Sequence, residues 1–282
     1  MEAGVWLLAL AFRKRDEVLE KLSLEEMRQI ELDIARDIDR VCRENDIEYV
    51  LGYGSCLGAI RHGGFIPWDD DMDIVMLRPD YERFLTVFNE CRSDDRFRLV
   101  SYRDKSAPCA FAKVVDQTTW VEERYSEACY GSGVWVDIFP LDEVPGDRAD
   151  RLFLKCSIYS ALRYLAVTDT STGASSAVKL AKKIVCPIVK KFGPYRFAKK
   201  LDECAMSCAG SRAAQVADLV SEASSRCLFD RAMFEPAECS FSGNTLFVPR
   251  SYETVLEKWY GDWRTLPPES EREPHTANAY RL

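Results

Sequence analysis

Asp69-Asp70-Asp71-Met72-Asp73 places four carboxylates in five residues, and no other feature constrains the fold of this chain as strongly. They repel one another, yet they adjoin Trp68, Ile66 and Ile74 rather than a polar tract. Met72 to Met76 reads as a strand, and side chains alternate along a strand, so Asp71 and Asp73 share one face. Two such carboxylates suit a divalent cation that prefers oxygen ligands. A polar turn or a surface calcium site would use the same residues, and Asp69 and Asp70 could serve only to shape the loop. A third acid is expected from a distant strand. Asp137 stands alone inside the apolar run Trp135-Val136-Asp137-Ile138-Phe139, where an unpaired charge is costly to bury. A metal would remove that cost, as would a helix cap or an ion pair with Arg or Lys. The pattern therefore predicts Asp71, Asp73 and Asp137 as a catalytic, metal-holding set, with Mg²⁺ or Mn²⁺ as the ion and Asp70 beside it.

The surrounding residues point to phosphate. Tyr49-Val50-Leu51 reads as a strand that runs into Gly52-Tyr53-Gly54-Ser55. A glycine at a strand end lets backbone amides approach a phosphate, and the Ser55 hydroxyl adds a donor. Alone, a Gly-Ser pair is a common turn; followed by Asp-x-Asp in a strand it becomes specific. Arg61 and His62 lie between the two motifs, and arginine can meet phosphate oxygens bidentately; His62 could equally be a packing or surface residue. Lys113, within Phe111 to Val115, is either a phosphate contact or a lysine snorkelling from a sheet edge.

The rest of the chain frames this segment. Ser23-Leu24-Glu25-Glu26 is a capping box. Met27, Ile30, Ile34, Ile38 and Val41 then follow at helical spacing, giving an amphipathic helix to about Asn45. A short helix is expected through Leu57 to Arg61, and another from Pro79 to about Glu90. Strands are expected at Phe97 to Tyr102, Ala110 to Val115 and Val134 to Phe139. From Asp150 to about Phe234 the pattern turns mainly helical, and near the end a helix spans Tyr252 to Trp259. The division predicted is an N-terminal extension (1–22), a core with the metal site (23–149), a mainly helical basic lobe (150–240) and a C-terminal segment packing on the core (241–282).

Charge is uneven across these parts. The 282 residues carry a net charge of −8, which argues against a nucleic-acid partner. Residues 151–212 hold twelve Lys or Arg against three acids, a balance of +9 that leaves −17 elsewhere. Within this lobe, Lys182-Lys183, Lys190-Lys191 and Lys199-Lys200 alternate with Leu180, Ile184, Val185, Ile188 and Val189. The stretch 178–200 could lie peripherally on anionic lipid or be an ordinary solvated helix face. Eleven scattered cysteines without a CxxC pair read as free thiols of a reducing cytoplasm. The apolar run Val5 to Phe12 lacks the marks of a signal peptide and is too short to span a bilayer.

At these residues the sequence resembles the LicD family. The resemblance rests on Gly54-Ser55-Cys56-Leu57-Gly58-Ala59-Ile60-Arg61-His62 and Gly64-Phe65-Ile66-Pro67-Trp68-Asp69-Asp70-Asp71-Met72-Asp73-Ile74. Val136-Asp137-Ile138-Phe139-Pro140 and Tyr260-Gly261-Asp262-Trp263 with Pro267-Pro268 extend it. Ser55 stands where the family often has Thr, and Cys56 where Leu is usual. The segment Asp150 to Glu238 carries no such match. The resemblance implies an α+β nucleotidyltransferase-fold (polymerase-beta-like) core with a mixed sheet. It also implies transfer of a phospho-alcohol, typically phosphocholine, from CDP-choline or a related CDP-alcohol to a sugar of a cell-surface glycan, and a lipid-linked glycan would be an acceptor within reach of a protein on the cytoplasmic face of a membrane. The residues themselves give only a metal and a phosphate. They leave open nucleotide transfer from an NTP, or an accessory protein without catalysis.

Overall fold

The computed structural model describes residues 19–122, 133–168, 170, 176–221, 227–272 and 278–282. The apolar run near the N-terminus lies outside the described residues.

A two-residue strand β1 (Glu20–Lys21) precedes helix α1 (Leu24–Glu44), where the expected capping box is present in both directions: Ser23 accepts from the Glu26 amide, and Glu26 accepts from the Ser23 amide. Then come β2 (Val50–Leu51), α2 (Tyr53–His62), β3 (Asp73–Leu77), α3 (Arg78–Cys91), β4 (Phe97–Val100), β5 (Ala112–Asp116), β6 (Thr119–Glu122) and β7 (Trp135–Glu143). Helices α4 (Ala149–Val167), α5 (Ser176–Lys190) and α6 (Pro194–Ala205) form the lobe. Strands β8 (Gln215–Ala217), β9 (Phe229–Asp230), β10 (Pro236–Phe241) and β11 (Asn244–Pro249), helix α7 (Tyr252–Tyr260) and strand β12 (Asn278–Arg281) complete the chain.

This is a mixed α+β architecture. The main sheet runs β2-β3-β7-β5-β4, with β8 and β9 added beyond the far end of β7. Only β3 and β7 are parallel, the other pairs being antiparallel. Alternation sorts the side chains. Ile74, Met76, Val114, Val136 and Ile138 face the large core with the apolar stripe of α1 and with Phe84 and Phe88 of α3. Val75, Phe139 and Leu141 face a second core with Phe229, Phe234 and Val255. Asp73 and Asp137 share the parity of that second face, so the acids emerge on the side roofed by the C-terminal segment.

Two expectations need correction. The helical character expected through 150–240 ends at Cys208, after which β8 returns to pair with Asp142 and Glu143 of β7. Helix α2 starts at Tyr53 rather than Leu57, so Gly54 and Ser55 lie in its first turn. The lobe is fastened to the core by buried ions. Arg78 bridges Asp142 at 2.7 Å and Asp202 of α6 at 2.9 Å; Arg103 reaches Asp202 at 3.0 Å and Glu82 at 2.6 Å.

Candidate active site

The site is a row across three strands. Asp73 of β3 is the register partner of Asp137 on β7, and Asp137 is the partner of Lys113 on β5. All three therefore point to one face, at the spacing of adjacent strands, about 4.8 Å. Lys113 Nζ lies 3.3 Å from Asp137 Oδ1 and 3.9 Å from the centre of the Trp135 ring. The Trp135 indole N–H donates to Asp137 Oδ2 at 3.0 Å. Lys113 is thus neither at a sheet edge nor snorkelling: β5 lies inside the sheet, between β7 and β4. The ion pair with lysine considered for Asp137 is present, and it relieves part of the burial cost otherwise assigned to a metal.

The electrostatics of the row remain unbalanced. Burial pushes the Asp73 carboxyl well above its ordinary value, and Asp71, Asp137 and Asp69 push it the same way, against Lys113. Burial also raises Asp137, while Lys113 and the Trp135 hydrogen bond draw it down. Asp71 raises both carboxyls, and Asp73 and Asp137, predicted from separate stretches, are register partners on adjacent strands.

The first turn of α2 fixes this arrangement. Ser55 is 4% exposed, and its Oγ accepts from the Asp73 amide at 2.8 Å. Its role is to tie α2 to the start of β3. A methyl added at Gly54 would lie 2.7 Å from Asp69 Oδ2, so any side chain there would displace the Asp69 carboxylate. Tyr53 adopts φ +39°, a strained backbone for a bulky residue. Its hydroxyl donates to Asp218 and its ring packs 4.6 Å from Trp259.

Arg61 and His62 sit at the other end of α2. Arg61 Nη1 donates to the Trp263 carbonyl at 2.8 Å, and Nε donates to His62 Nε2 at 3.0 Å. Burial, then Arg61, holds His62 below its ordinary value, consistent with a neutral accepting ring. These bonds tie α2 to the segment after α7. Tyr260, the last residue of α7, also feels the acids: burial, then Asp73, Asp69 and Asp71, raise its phenol.

Two residues of α1 join the site without having been singled out. Arg28 donates to the Ile66 carbonyl at 2.7 Å and the Asp69 carbonyl at 2.6 Å, holding the acidic loop by its backbone. Glu31 is 2% exposed, and burial together with Asp71, Asp70 and Asp69 raises its carboxyl. Asp70 is 3% exposed and belongs to this inner layer. The signal was available, because Glu31 follows Ile30 within the stripe that α1 buries.

A hard divalent cation fits the donors. They are carboxylates, two are register neighbours, and Asp137 Oδ1 has no hydrogen-bond partner, only the Lys113 ammonium nearby. Among the described residues, no three acidic, histidine or cysteine side chains already stand close enough together to hold an ion.

Residues 46–160 match the family model described as LicD/FKTN/FKRP, nucleotidyltransferase domain. The lipopolysaccharide cholinephosphotransferase LicD of Haemophilus influenzae is 26% identical over 268 residues, covering 91% of this chain and 97% of that protein. Uncharacterized proteins of Rickettsia typhi (33% over 72 residues, 26% of this chain and 21% of the relative) and Rickettsia prowazekii (35% over 66 residues, 23% and 25%) match shorter stretches. The matched stretch contains every residue of the row and of α2, so the site lies in a domain similar to that of the LicD proteins.

Proposed function

We propose that the chain is a metal-dependent phosphotransferase with a nucleotidyltransferase-fold core. It moves phosphocholine, or a similar phospho-alcohol, from a CDP-activated donor to a hydroxyl of a cell-surface glycan or its lipid-linked precursor. The observation that carries this reading is the in-register row Asp73, Asp137 and Lys113, with Asp71 in electrostatic reach of both acids. The similarity to the Haemophilus lipopolysaccharide cholinephosphotransferase supports the choice of group and acceptor.

Asp71, Asp73 and Asp137 would hold Mg²⁺ or Mn²⁺. When bound, the ion supplies positive charge against the donor diphosphate, which an anionic transition state needs. The chain's own residues do the rest. The acceptor oxygen forms a bond to the phosphorus that bears the alcohol, and the bond from that phosphorus to the bridging oxygen breaks. CMP leaves with the electron pair. The acceptor proton passes to a carboxylate of the row. Asp137 suits this step because burial raises its affinity for a proton. Lys113 keeps Asp137 oriented and offsets charge on the face where phosphate would lie. Gly54 and Ser55 hold α2 against the acidic loop, and Arg28 holds that loop from behind.

The test is transfer from CDP-choline with Mg²⁺, following CMP release, for the native chain and for Asp71→Ala. The native chain releases CMP and the variant does not. Undiminished transfer by Asp71→Ala removes the metal role, and diphosphate release from CTP in place of CMP would assign nucleotidyl transfer instead.

A further inference from the structure

None of the residues assigned to the row, α2 or the acidic loop lies on α4, α5 or α6, yet these helices carry the most apolar exposed surface of the described residues. On α5, Ile184 is 62% exposed, Val185 41% and Ile188 57%, and Phe192 just beyond is 54% exposed. On α4, Leu154 is 58% exposed and Ile158 51%. Ile184 and Ile188 lie one turn apart on α5 and share a face, and Phe192 follows in the turn just beyond the helix. Cys186 and Val189 of the same helix are buried at 0% and 8%. Helix α5 therefore packs inward through one apolar side and presents a second to its surroundings. Exposed apolar surface gathered in one place marks a contact site rather than an ordinary exterior.

The charges around the stripe say what it contacts. Lys183 and Lys191 are exposed on the same stretch of chain, Arg196 lies 5.6 Å from the Phe192 ring centre, and Lys199 and Lys200 are exposed on α6. Lys199 and Lys200 share a single carboxylate, Glu203, at 3.8 and 2.8 Å. Of the three acids in 151–212, Asp202 is buried against Arg78 and Arg103 of the core and does nothing to neutralise this surface. A second copy of the chain is a poor occupant, since the basic lobe would face itself. Isoleucine and phenylalanine call for hydrocarbon, and the lysines beside them call for phosphate. Lysine stems can lie along an apolar layer while their ammonium groups stay at its polar rim.

We infer that the exposed face of α5 and its continuation to Phe192, with Lys183, Lys191 and Arg196 beside it, docks the protein on a bilayer surface rich in anionic phospholipid. The helix lies in the interface and does not cross it: no described helix is long and apolar enough to span a membrane. The attraction combines shallow insertion of the stripe with the field of the anionic headgroups.

The test is flotation of the full chain with phosphatidylglycerol-containing vesicles and with pure phosphatidylcholine vesicles, at low and high salt. Two variants accompany it, Ile184→Ser/Ile188→Ser/Phe192→Ser and Lys183→Gln/Lys191→Gln. The native chain binds the anionic vesicles and binds the neutral ones at least about tenfold more weakly. The stripe variant loses about tenfold or more on anionic vesicles, and the lysine variant loses most of the salt-sensitive part. Melting temperatures report folding. Hydrolysis of CDP-choline without membranes stays unchanged in both variants, so failure of docking is distinct from failure of the proposed chemistry. Absence of native binding to anionic vesicles at low salt overturns the inference, as does equal binding by a folded stripe variant. A native dimer that the stripe variant cannot form, seen by sedimentation velocity, would assign the face to a second copy.

Discussion

Asp73→Asn separates what the row costs in stability from what it contributes to chemistry. Asp73 and Asp137 are register partners on neighbouring strands, so their carboxylates start from a strand spacing of about 4.8 Å. Two unit charges about 5 Å apart repel by about 3 kcal/mol at an effective dielectric of about 20. Lys113, 3.3 Å from Asp137, offsets part of this. Asparagine keeps the shape and removes the charge, so the metal-free variant should be more stable than the native chain by about 1–3 kcal/mol, a melting-temperature rise of about 2–4 °C per kcal/mol. The pH dependence has a definite sign. The Asp73 carboxyl is raised in the folded protein, so its contribution to stability is present below its unfolded value and is lost as pH rises through the folded one. Asparagine has no such loss, and the gap between variant and native chain should widen with pH. Thermal denaturation in chelator measures this across the pH range. Repeated with Mn²⁺, it should raise the native chain by mass action and the variant little, while transfer is lost. A variant that melts below the native chain in chelator at alkaline pH, or that gains the same Mn²⁺ shift, refutes the reasoning.

Two further outcomes follow from the scaffold. Arg78→Met leaves Asp142 buried without its guanidinium, while Asp202 keeps only Arg103 of its two arginines, and should cost about 3–5 kcal/mol. Burial already pushes Asp142 up to about 6 against the pull of Arg78. Its stability contribution is lost as pH rises through that value, so the variant's penalty, read by urea denaturation, should be larger at pH about 8 than at about 5. A penalty independent of pH would show that Asp142 is not desolvated. Gly58→Ala places a methyl 2.4 Å from the Gly64 carbonyl, so the turn into the acidic loop must shift; a loss of about 1–3 kcal/mol with a fall in transfer rate is expected, and a melting temperature unchanged in the variant would contradict that contact.

Much of this arrangement could be read before any coordinates. The capping box at Ser23 to Glu26 is local, and the structure repeats it atom for atom. Period-two alternation sufficed to put Asp73 and Asp137 on strands and away from the apolar face. What alternation lacks is register. Nothing in the order of residues says that Lys113 sits opposite Asp137, because β5 and β7 meet through tertiary packing. The β10–β11 hairpin went unread although its turn was visible: Ser242 and Gly243 have φ of +47° and +80°, the two-residue turn that a Ser-Gly step between alternating residues permits. Strands β8 and β9 have three and two residues, too short for any period to emerge. They were absorbed into a helical reading that the lysines and alanines before them encouraged.

The ion cluster between Arg78, Asp142 and Asp202 also sets a distance. Asp142 and Asp137 belong to the same strand, five residues apart, or about 17 Å at 3.3 Å per residue. The lobe is bolted to one station of that strand, and Asp137 occupies another. If the lobe rests on lipid as inferred, the acids stand at a fixed height above it, as a gauge would. Acceptors would then be sorted by how far their hydroxyl stands off the bilayer, before any sugar is recognised.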